Sequence, residues 1–101
     1  ADLTHLESIG LAGNNLVGKI SSDIGVLSQL TSLSLAENRL SNSIPTTVAM
    51  LTNLLVLDLH GNSLMSNIPS GIFKLSQLTI LDLGDNSLVA SIPSMISNLR
   101  E

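Results

Sequence analysis

The sequence has no cysteine, tryptophan or tyrosine and only one phenylalanine among its 101 residues. The absence of cysteine excludes disulfides and thiolate metal sites from this segment. Because aromatic side chains are nearly absent, any core has to be aliphatic, and the apolar fraction of 44% is large enough to build one.

Basic residues and long apolar runs are also scarce. Four lysines and arginines face eight aspartates and glutamates, so the net charge is −4 and no basic stripe is present to displace counterions from a nucleic acid. The apolar stretch at residues 54–57 ends at Asp58, far short of the roughly 18 residues that a transmembrane helix needs. We therefore expect no nucleic-acid partner and no membrane span in this segment.

A strict repeat runs through the whole chain. Asparagine recurs every 24 residues, and several leucine and isoleucine positions keep the same step. A fixed period between about 20 and 50 residues indicates a stacked array in which each unit buries its apolar face against its neighbours. We interpret residues 1–101 as a single array with a lead at 1–5 and repeats at 6–29, 30–53, 54–77 and 78–101, forming part of a longer array. The repeated asparagines are Asn14, Asn38, Asn62 and Asn86.

The first half of each repeat predicts a short β-strand followed by a turn. In the second repeat Leu33 and Leu35 alternate with small or polar residues, which is the period of a strand with one buried face. The strand turns at Asn38, whose amide can bond backbone groups that the turn leaves without partners. We expect the four asparagines to form a buried ladder, with main strands near residues 8–12, 32–36, 56–60 and 80–84.

The second half of each repeat identifies a subtype. The pattern L-x-x-L-x-L-x-x-N-x-L is followed by isoleucine and proline in three repeats, at residues 44–45, 68–69 and 92–93. This layout resembles the plant-type leucine-rich repeat over the whole chain. The resemblance implies an α/β leucine-rich-repeat solenoid, a right-handed superhelix with a parallel concave sheet and a mostly irregular or 3-10 convex side. It also implies a short second strand at the Ile-Pro segment.

The chain departs from the family pattern at two positions. The first repeat has Ile20-Ser21 in place of isoleucine and proline, and only that repeat keeps the family glycine, at Gly18. The corresponding residues of the other repeats are Asn42, Ser66 and Ala90. We expect the turn at this position to be less uniform than in the family.

The resemblance implies a protein or peptide recognition module that binds its partner on the concave sheet, as in receptor-like proteins or secreted inhibitors of cell-wall enzymes. The alternative is a structural scaffold or spacer within a larger assembly. An extracellular or cell-surface location is favoured by the resemblance, whereas the absence of glycosylation sequons and cysteines argues against it. The location therefore stays open.

The outward positions of the second half of the array have the composition of a binding surface. Aspartates at 58 and 82 occupy one column of adjacent parallel strands, roughly 5 Å apart, where like charges destabilise the sheet and attract a cation. That cation is either a basic group of a partner or a metal ion held with the help of His60, and simple solvation is the third possibility. We predict a partner-binding surface formed by Leu55, Val56, Asp58, His60, Ile80, Asp82 and Asp85.

Neither catalysis nor ice binding is supported by the residue pattern. No serine has a histidine and an aspartate in reach along one strand column, and no glycine-rich phosphate loop or Cys/His metal spacing occurs. We therefore expect no enzyme activity, no cofactor and no bound metal. An ice-binding role would need a flat array of repeated threonine or asparagine, but one outward column reads Ser8, Ser32, Val56, Ile80.

Overall fold

A computed structural model describes residues 5–89 as four successive coils with the same order of elements. Each coil starts with a main strand and continues with a second strand, and the first three coils then form a 3-10 helix. None of the helices in residues 5–89 is long and apolar enough to cross a membrane. The main strands are β1 Ser8–Gly10, β3 Ser32–Ser34, β5 Val56–Asp58 and β7 Ile80–Asp82. The second strands are β2 Val17–Gly18, β4 Arg39–Asn42, β6 Ser63–Asn67 and β8 Ser87–Val89. The 3-10 helices are Ser22–Val26, Thr46–Met50 and Ser70–Lys74.

The main strands form one parallel sheet in the order β1-β3-β5-β7. Their pairing places residues 24 apart side by side, so that Val56 lies between Ser32 and Ile80. Each main strand starts at the predicted residue and ends two residues before the predicted end. Backbone hydrogen bonds to the neighbouring coil continue beyond that end. Leu59 N, for example, donates to Asp82 O at 2.9 Å. The sequence period therefore generates straight columns of side chains across this sheet.

The core is aliphatic and is most completely buried in the middle coils. Leu33 and Leu57 have no exposed surface, whereas the residues beside them in β3 and β5 point outward and are half-buried. An inner coil packs against a neighbour on both sides, which explains why the fully buried residues cluster there. Those residues are Leu30, Leu33, Val48, Leu51, Leu54, Leu57, Leu59, Leu64, Ile72 and Leu78.

Asparagine side chains join each coil to the one before it. Asn38 Oδ1 accepts hydrogen bonds from the backbone N–H groups of Asn14 and Leu16, both at 2.9 Å. Asn38 Nδ2 donates to Leu11 O of the preceding coil and to Leu35 O of its own coil, both at 3.0 Å. One amide thus satisfies backbone groups that the two turns would otherwise leave without partners.

The prediction that all four asparagines are buried is wrong in part. Asn38 is buried, Asn62 and Asn86 are half-buried, and Asn14 is exposed. Asn62 and Asn86 still bind the preceding coil, through Leu40 N at 3.0 Å and Leu64 N at 2.9 Å. Asn14 lies in the first described coil, where its amide bonds only the carbonyl of Ala12. Asn38, Asn62 and Asn86 therefore share hydrogen bonds to the preceding coil, although they are not equally buried.

The predicted position of the second strand also needs correction. The strands β4 and β6 end before the isoleucine and proline, whereas Pro45 and Pro69 precede the 3-10 helices that follow. Proline has no N–H for a sheet ladder, and its fixed φ suits the start of a helical turn. In the structure Pro45 and Pro69 have φ values of −67° and −56° at these cap positions. The third Ile-Pro pair, at residues 92–93, lies outside the described residues.

The family glycine position has a left-handed backbone in every coil where it is described. The φ angles are +92° at Gly18, +65° at Asn42 and +70° at Ser66, and Ala90 lies outside the described residues. Glycine adopts this conformation without strain, and asparagine tolerates it better than most residues. Ser66 has neither advantage, so we infer that the third coil contains a strained residue.

Replacing Asn38 by alanine is expected to destabilise the fold by about 1–3 kcal/mol, because several buried backbone groups lose their partner. Asn14→Ala is the matched control, since this residue keeps only the local bond to Ala12 in the described coils. Urea unfolding followed by circular dichroism measures both. Equal losses for the two variants would contradict the ladder.

Ser66→Gly is expected to stabilise the protein by about 0.5–1 kcal/mol, because glycine relieves the left-handed backbone at that position. Ser63→Gly in the same strand is the control, and there the extra backbone freedom should lower stability. Thermal unfolding of both variants distinguishes local strain from a general effect of glycine in β6. A loss of stability in Ser66→Gly would show that the position is not strained.

Candidate functional site

An exposed apolar patch lies on the outward face of β5 and β7. Leu55 is 41% exposed, Ile80 is 46% exposed and Val56 is half-buried. Val56 and Ile80 are register partners, so their side chains stand next to each other, and Leu55 is the residue before Val56. We call these three residues, which the sequence grouped together, the apolar patch.

Two aspartates stand side by side at the ends of these strands, as predicted. Asp58 and Asp82 are register partners in the parallel sheet. Each also accepts a hydrogen bond from the backbone N–H two residues later, at 3.2 Å from His60 for Asp58 and at 3.0 Å from Gly84 for Asp82. The carboxylates therefore help the backbone to turn where the strands end.

His60 lies against both aspartates. Its Nδ1 is 2.7 Å from Asp58 Oδ1 and 3.7 Å from Asp82 Oδ2. Its Nε2 is 3.0 Å from Glu37 Oε2 in the preceding coil. The sequence left open whether the acid pair attracts a cation or is simply solvated, and the chain itself supplies a cation whenever this imidazole is protonated. We call these four side chains the acid–histidine cluster.

Glu37 is a member of the cluster that the site prediction omitted. It occupies the turn after β3 with a left-handed φ of +55°, and its neighbour in the next coil is Gly61. A Cβ atom at Gly61 would lie 2.8 Å from Glu37 Oε2, so the bare backbone leaves room for this carboxylate beside His60. The sequence does contain a signal for this contact, because Glu37 and Gly61 are 24 residues apart and Gly61 directly follows His60.

Asp85 does not join the cluster. Within residues 5–89, no hydrogen bond or ion pair connects it to Glu37, Asp58, His60 or Asp82. Its backbone has a left-handed φ of +52°, and its side chain is exposed. The structure therefore brings six of the seven predicted site residues into two adjoining groups and leaves Asp85 at the margin.

The electrostatic environment favours the protonated histidine. The hydrogen bond to Asp58 raises the pKa of His60 above its ordinary value of 6.5. Partial burial of the ring opposes this effect, while the charges of Asp58, Asp82 and Glu37 add to it. His60 is thus the group of the cluster whose charge changes near neutral pH.

The cluster also has the residue types of a three-ligand metal site. Ligand atoms of Asp58, His60 and Asp82 all lie within 4.8 Å of one another. Two ligands of one tetrahedral zinc ion stand about 3.3 Å apart, however, and His60 Nδ1 is only 2.7 Å from Asp58 Oδ1. The described geometry is that of a shared proton, so we assign no metal to the cluster.

The cluster does not have the arrangement of a catalytic triad. A histidine oriented by an aspartate needs a nucleophile within hydrogen-bond reach of its other ring nitrogen. In the described part of the chain that nitrogen, His60 Nε2, faces the carboxylate of Glu37, and no serine or threonine hydroxyl hydrogen-bonds to the ring. The geometry suits the binding of a charged group and not acyl transfer.

The sequence matches two family models, both described as leucine-rich repeat. One matches residues 28–88 and the other residues 5–27. No curated protein matches the sequence.

Solved structures of plant proteins are similar over most of the chain. The ectodomain of the Arabidopsis thaliana receptor kinase GASSHO1/SCHENGEN3, in complex with CASPARIAN STRIP INTEGRITY FACTOR 2, is 34% identical with a TM-score of 0.90, over 95% of this chain and 12% of that chain. The Arabidopsis HAESA ectodomain, in complex with an extended IDA peptide hormone ligand, is 38% identical with a TM-score of 0.80, over 89% of this chain and 15% of that chain. These matches confirm the predicted right-handed solenoid and its plant, receptor-like type.

A plant ice-binding protein is similar to a comparable degree. It is 35% identical with a TM-score of 0.89, over 97% of this chain and 32% of that chain. The chain therefore spans a third or less of each of these three structures. It corresponds to a short part of their arrays.

The raised pKa of His60 predicts that stability depends on pH. Because the folded pKa exceeds the unfolded value of 6.5, protonated His60 stabilises the fold below that pH, and the contribution is lost as the pH rises through the folded pKa. The stability difference between wild type and His60→Gln should therefore shrink between about pH 5 and about pH 8, as measured by urea unfolding. His5→Gln is the control for the other histidine, and a difference that stays constant with pH would contradict the assignment.

Proposed function

The chain belongs to the leucine-rich repeat family, and from that premise we propose that its concave sheet recognises a protein or peptide through the apolar patch and the acid–histidine cluster. The fold itself does not specify a function, because many binding activities use it. The residues at the outward positions of the sheet therefore decide what this part of the array binds.

The proposal rests on one observation, the exposure of the apolar patch directly beside ionised groups on the same two strands. Val56 precedes Asp58, and Ile80 precedes Asp82, by two residues, so both kinds of side chain project from the same face. Burial of apolar area supplies affinity, whereas charges mainly supply orientation, specificity and a faster association. The two features together suit a partner that presents an apolar side chain next to a basic one.

The charge balance of the surface supports the basic group. With His60 protonated, the three carboxylates and one imidazolium of the cluster sum to −2. In the described residues no lysine or arginine forms an ion pair with these carboxylates. A cationic side chain of a partner would therefore meet attraction that the protein leaves uncompensated.

The similar structures support recognition of a peptide or protein. The HAESA ectodomain was solved with a peptide hormone ligand, and the GASSHO1/SCHENGEN3 ectodomain with CASPARIAN STRIP INTEGRITY FACTOR 2. A standard interface uses about 20–30 residues on each side, and the described concave face barely offers that number. We therefore propose that this chain provides part of a longer binding surface.

The first half of the concave face favours the alternative function, a scaffold or spacer. Its outward residues include Ser8, Gly10, Ser32 and Ser34, which are small and offer no large side chain for a partner to contact. A spacer would show no selective binding through the second half either. Binding experiments on the apolar patch therefore separate the two functions.

Ice binding is the third function to consider, because a plant ice-binding protein has a similar fold. A flat ice-binding surface needs the same polar residue at successive positions of a column. Pairing in the main sheet places Ser8, Ser32, Val56 and Ile80 side by side, so this column changes from polar to apolar. The concave sheet of the described residues therefore does not present such an array.

Selection from a random peptide library displayed on phage tests the proposal. Enriched peptides should contain apolar residues next to arginine or lysine, and Asp58→Asn/Asp82→Asn should weaken their binding by about twofold to thirtyfold, because exposed ion pairs are worth about 0.2–1 kcal/mol each. Glu7→Gln/Asp23→Asn removes the same number of charges away from the patch and should leave the dissociation constant nearly unchanged.

The apolar patch has its own variant, Leu55→Ser/Ile80→Ser, which should weaken the same peptides without altering the salt dependence of binding. Both residues are exposed to solvent and neither belongs to the buried core, so the fold should tolerate the change. If no peptide is enriched, or if enriched peptides bind all variants equally, then the scaffold function becomes the better account of this segment.

A further inference from the structure

We propose that His60 regulates the proposed binding surface by acting as an internal counter-ion, which holds the acid pair while protonated and releases it to a basic group of the partner when deprotonated. This inference rests on the proposed function and adds a pH response to it. Binding of a cationic partner should strengthen as the pH rises, and the partner should displace a proton from the protein.

The geometry favours a protonated ring. Nδ1 of His60 hydrogen-bonds to Asp58 Oδ1 at 2.7 Å, and Nε2 makes an ion-pair contact with Glu37 Oε2 at 3.0 Å. Both neighbours are carboxylate oxygens, which attract the positive charge of an imidazolium. A neutral imidazole has a single N–H and would turn a lone pair toward one of the two carboxylates. Deprotonation therefore weakens at least one of the two contacts.

The imidazolium occupies the place that a partner's cation would use. Its Nδ1 lies near both members of the acid pair, at 2.7 Å from Asp58 and 3.7 Å from Asp82. An incoming guanidinium or ammonium group would seek the same carboxylate oxygens, because they lie on the same two strands as Val56 and Ile80 of the apolar patch. Two cations at this position repel each other, so the ring and the partner compete for the acid pair.

The groups that face the ring come from three successive coils. Glu37 belongs to the coil before His60, Asp58 to its own coil and Asp82 to the coil after it. All three are carboxylates, and the imidazole is the group of the cluster whose ordinary titration lies near neutral pH. Between about pH 5 and about pH 8 the charge of the cluster therefore follows His60, from −2 with the ring protonated to −3 with it neutral.

The expected size of the pH effect on binding follows from the single charge that His60 gains or loses. A unit charge about 4 Å from another in water corresponds to about a fivefold change in an equilibrium constant. We therefore expect a monocationic partner to bind about fivefold more tightly at the upper end of the pH range. Because linkage is reciprocal, the partner should also lower the pKa of His60 when it binds.

The test uses two synthetic probes that differ in charge and hardly in shape. Acetyl-leucyl-leucyl-arginine amide carries a guanidinium, and the same peptide with citrulline in place of arginine is neutral. Dissociation constants are measured by NMR titration at about pH 5 and about pH 8, in buffer with EDTA to remove metal ions. The wild-type protein is compared with His60→Gln, and His5→Gln serves as the matched control because it removes the only other histidine.

The proposal expects the arginine peptide to bind wild type and His5→Gln about fivefold more tightly at the higher pH. His60→Gln should bind it equally at both pH values, and the citrulline peptide should show no pH dependence with any variant. The ring signals of His60 provide a second readout on the unmodified protein, since a saturating amount of the arginine peptide should lower the His60 pKa.

The outcomes separate the two proposals. If the arginine peptide binds in a manner that depends on Asp58 and Asp82 but with the same affinity at both pH values, the regulation is wrong and the proposed function stands. The regulation is equally wrong if His60→Gln keeps the full pH dependence. If neither peptide binds wild type at either pH, or if Asp58→Asn/Asp82→Asn binds as wild type does, then the proposed function fails and the regulation fails with it.

Discussion

The structure depends on the asparagine side chain of the second, third and fourth coils, which bonds backbone groups of its own turn and of the turn before it. Asn38 accepts from two N–H groups of the preceding coil and donates to carbonyls of both coils. Because the asparagine recurs at a constant step of 24 residues, each coil has the same register on the last. That constant register stacks the main strands in line and brings Asp58 beside Asp82, so the candidate site is a consequence of the ladder.

The registers of the two sheets differ, and this explains why neighbouring residues could be predicted on the concave face and not among the second strands. In the main sheet, partners are 24 residues apart, as with Ser34 and Asp58. The second strands form a parallel sheet of their own, in the order β2-β4-β6-β8, and there the partners are 22 apart. Asn42 therefore lies opposite Leu64 and not opposite its repeat equivalent Ser66. A shift of two residues keeps each side chain on the same face of the sheet. Residues at equivalent positions of successive repeats, however, no longer lie side by side. The sequence period therefore predicts neighbours in the first sheet and not in the second.

What the sequence could not predict depends on backbone and side-chain directions that a repeat pattern does not contain. The apolar patch, the acid pair and the inward leucines follow from the two-residue period of a strand. The contact of Glu37 with His60 depends on a left-handed turn at Glu37 and on the free space beside Gly61. Asn14 lies in the first described coil, where its side-chain amide bonds only Ala12 O, and a repeat pattern does not show this difference from Asn38. Proline was placed in the second strand on the family pattern, whereas its missing N–H makes it a helix start.

Protonation of His60 in the acid–histidine cluster has opposite effects, since it stabilises the unbound protein and weakens the binding of a basic partner. A column of like charges weakens a parallel sheet, and protonated His60 offsets that repulsion in the unbound protein. The same protonation blocks the carboxylates that a basic partner would use. Raising the pH through the pKa of His60 thus removes a stabilising contact and exposes the acid pair, and a bound cation would then replace the lost counter-ion. A partner's basic group is in this sense a substitute for the imidazolium, so His60 should stabilise the free protein most at the pH values where binding is weakest.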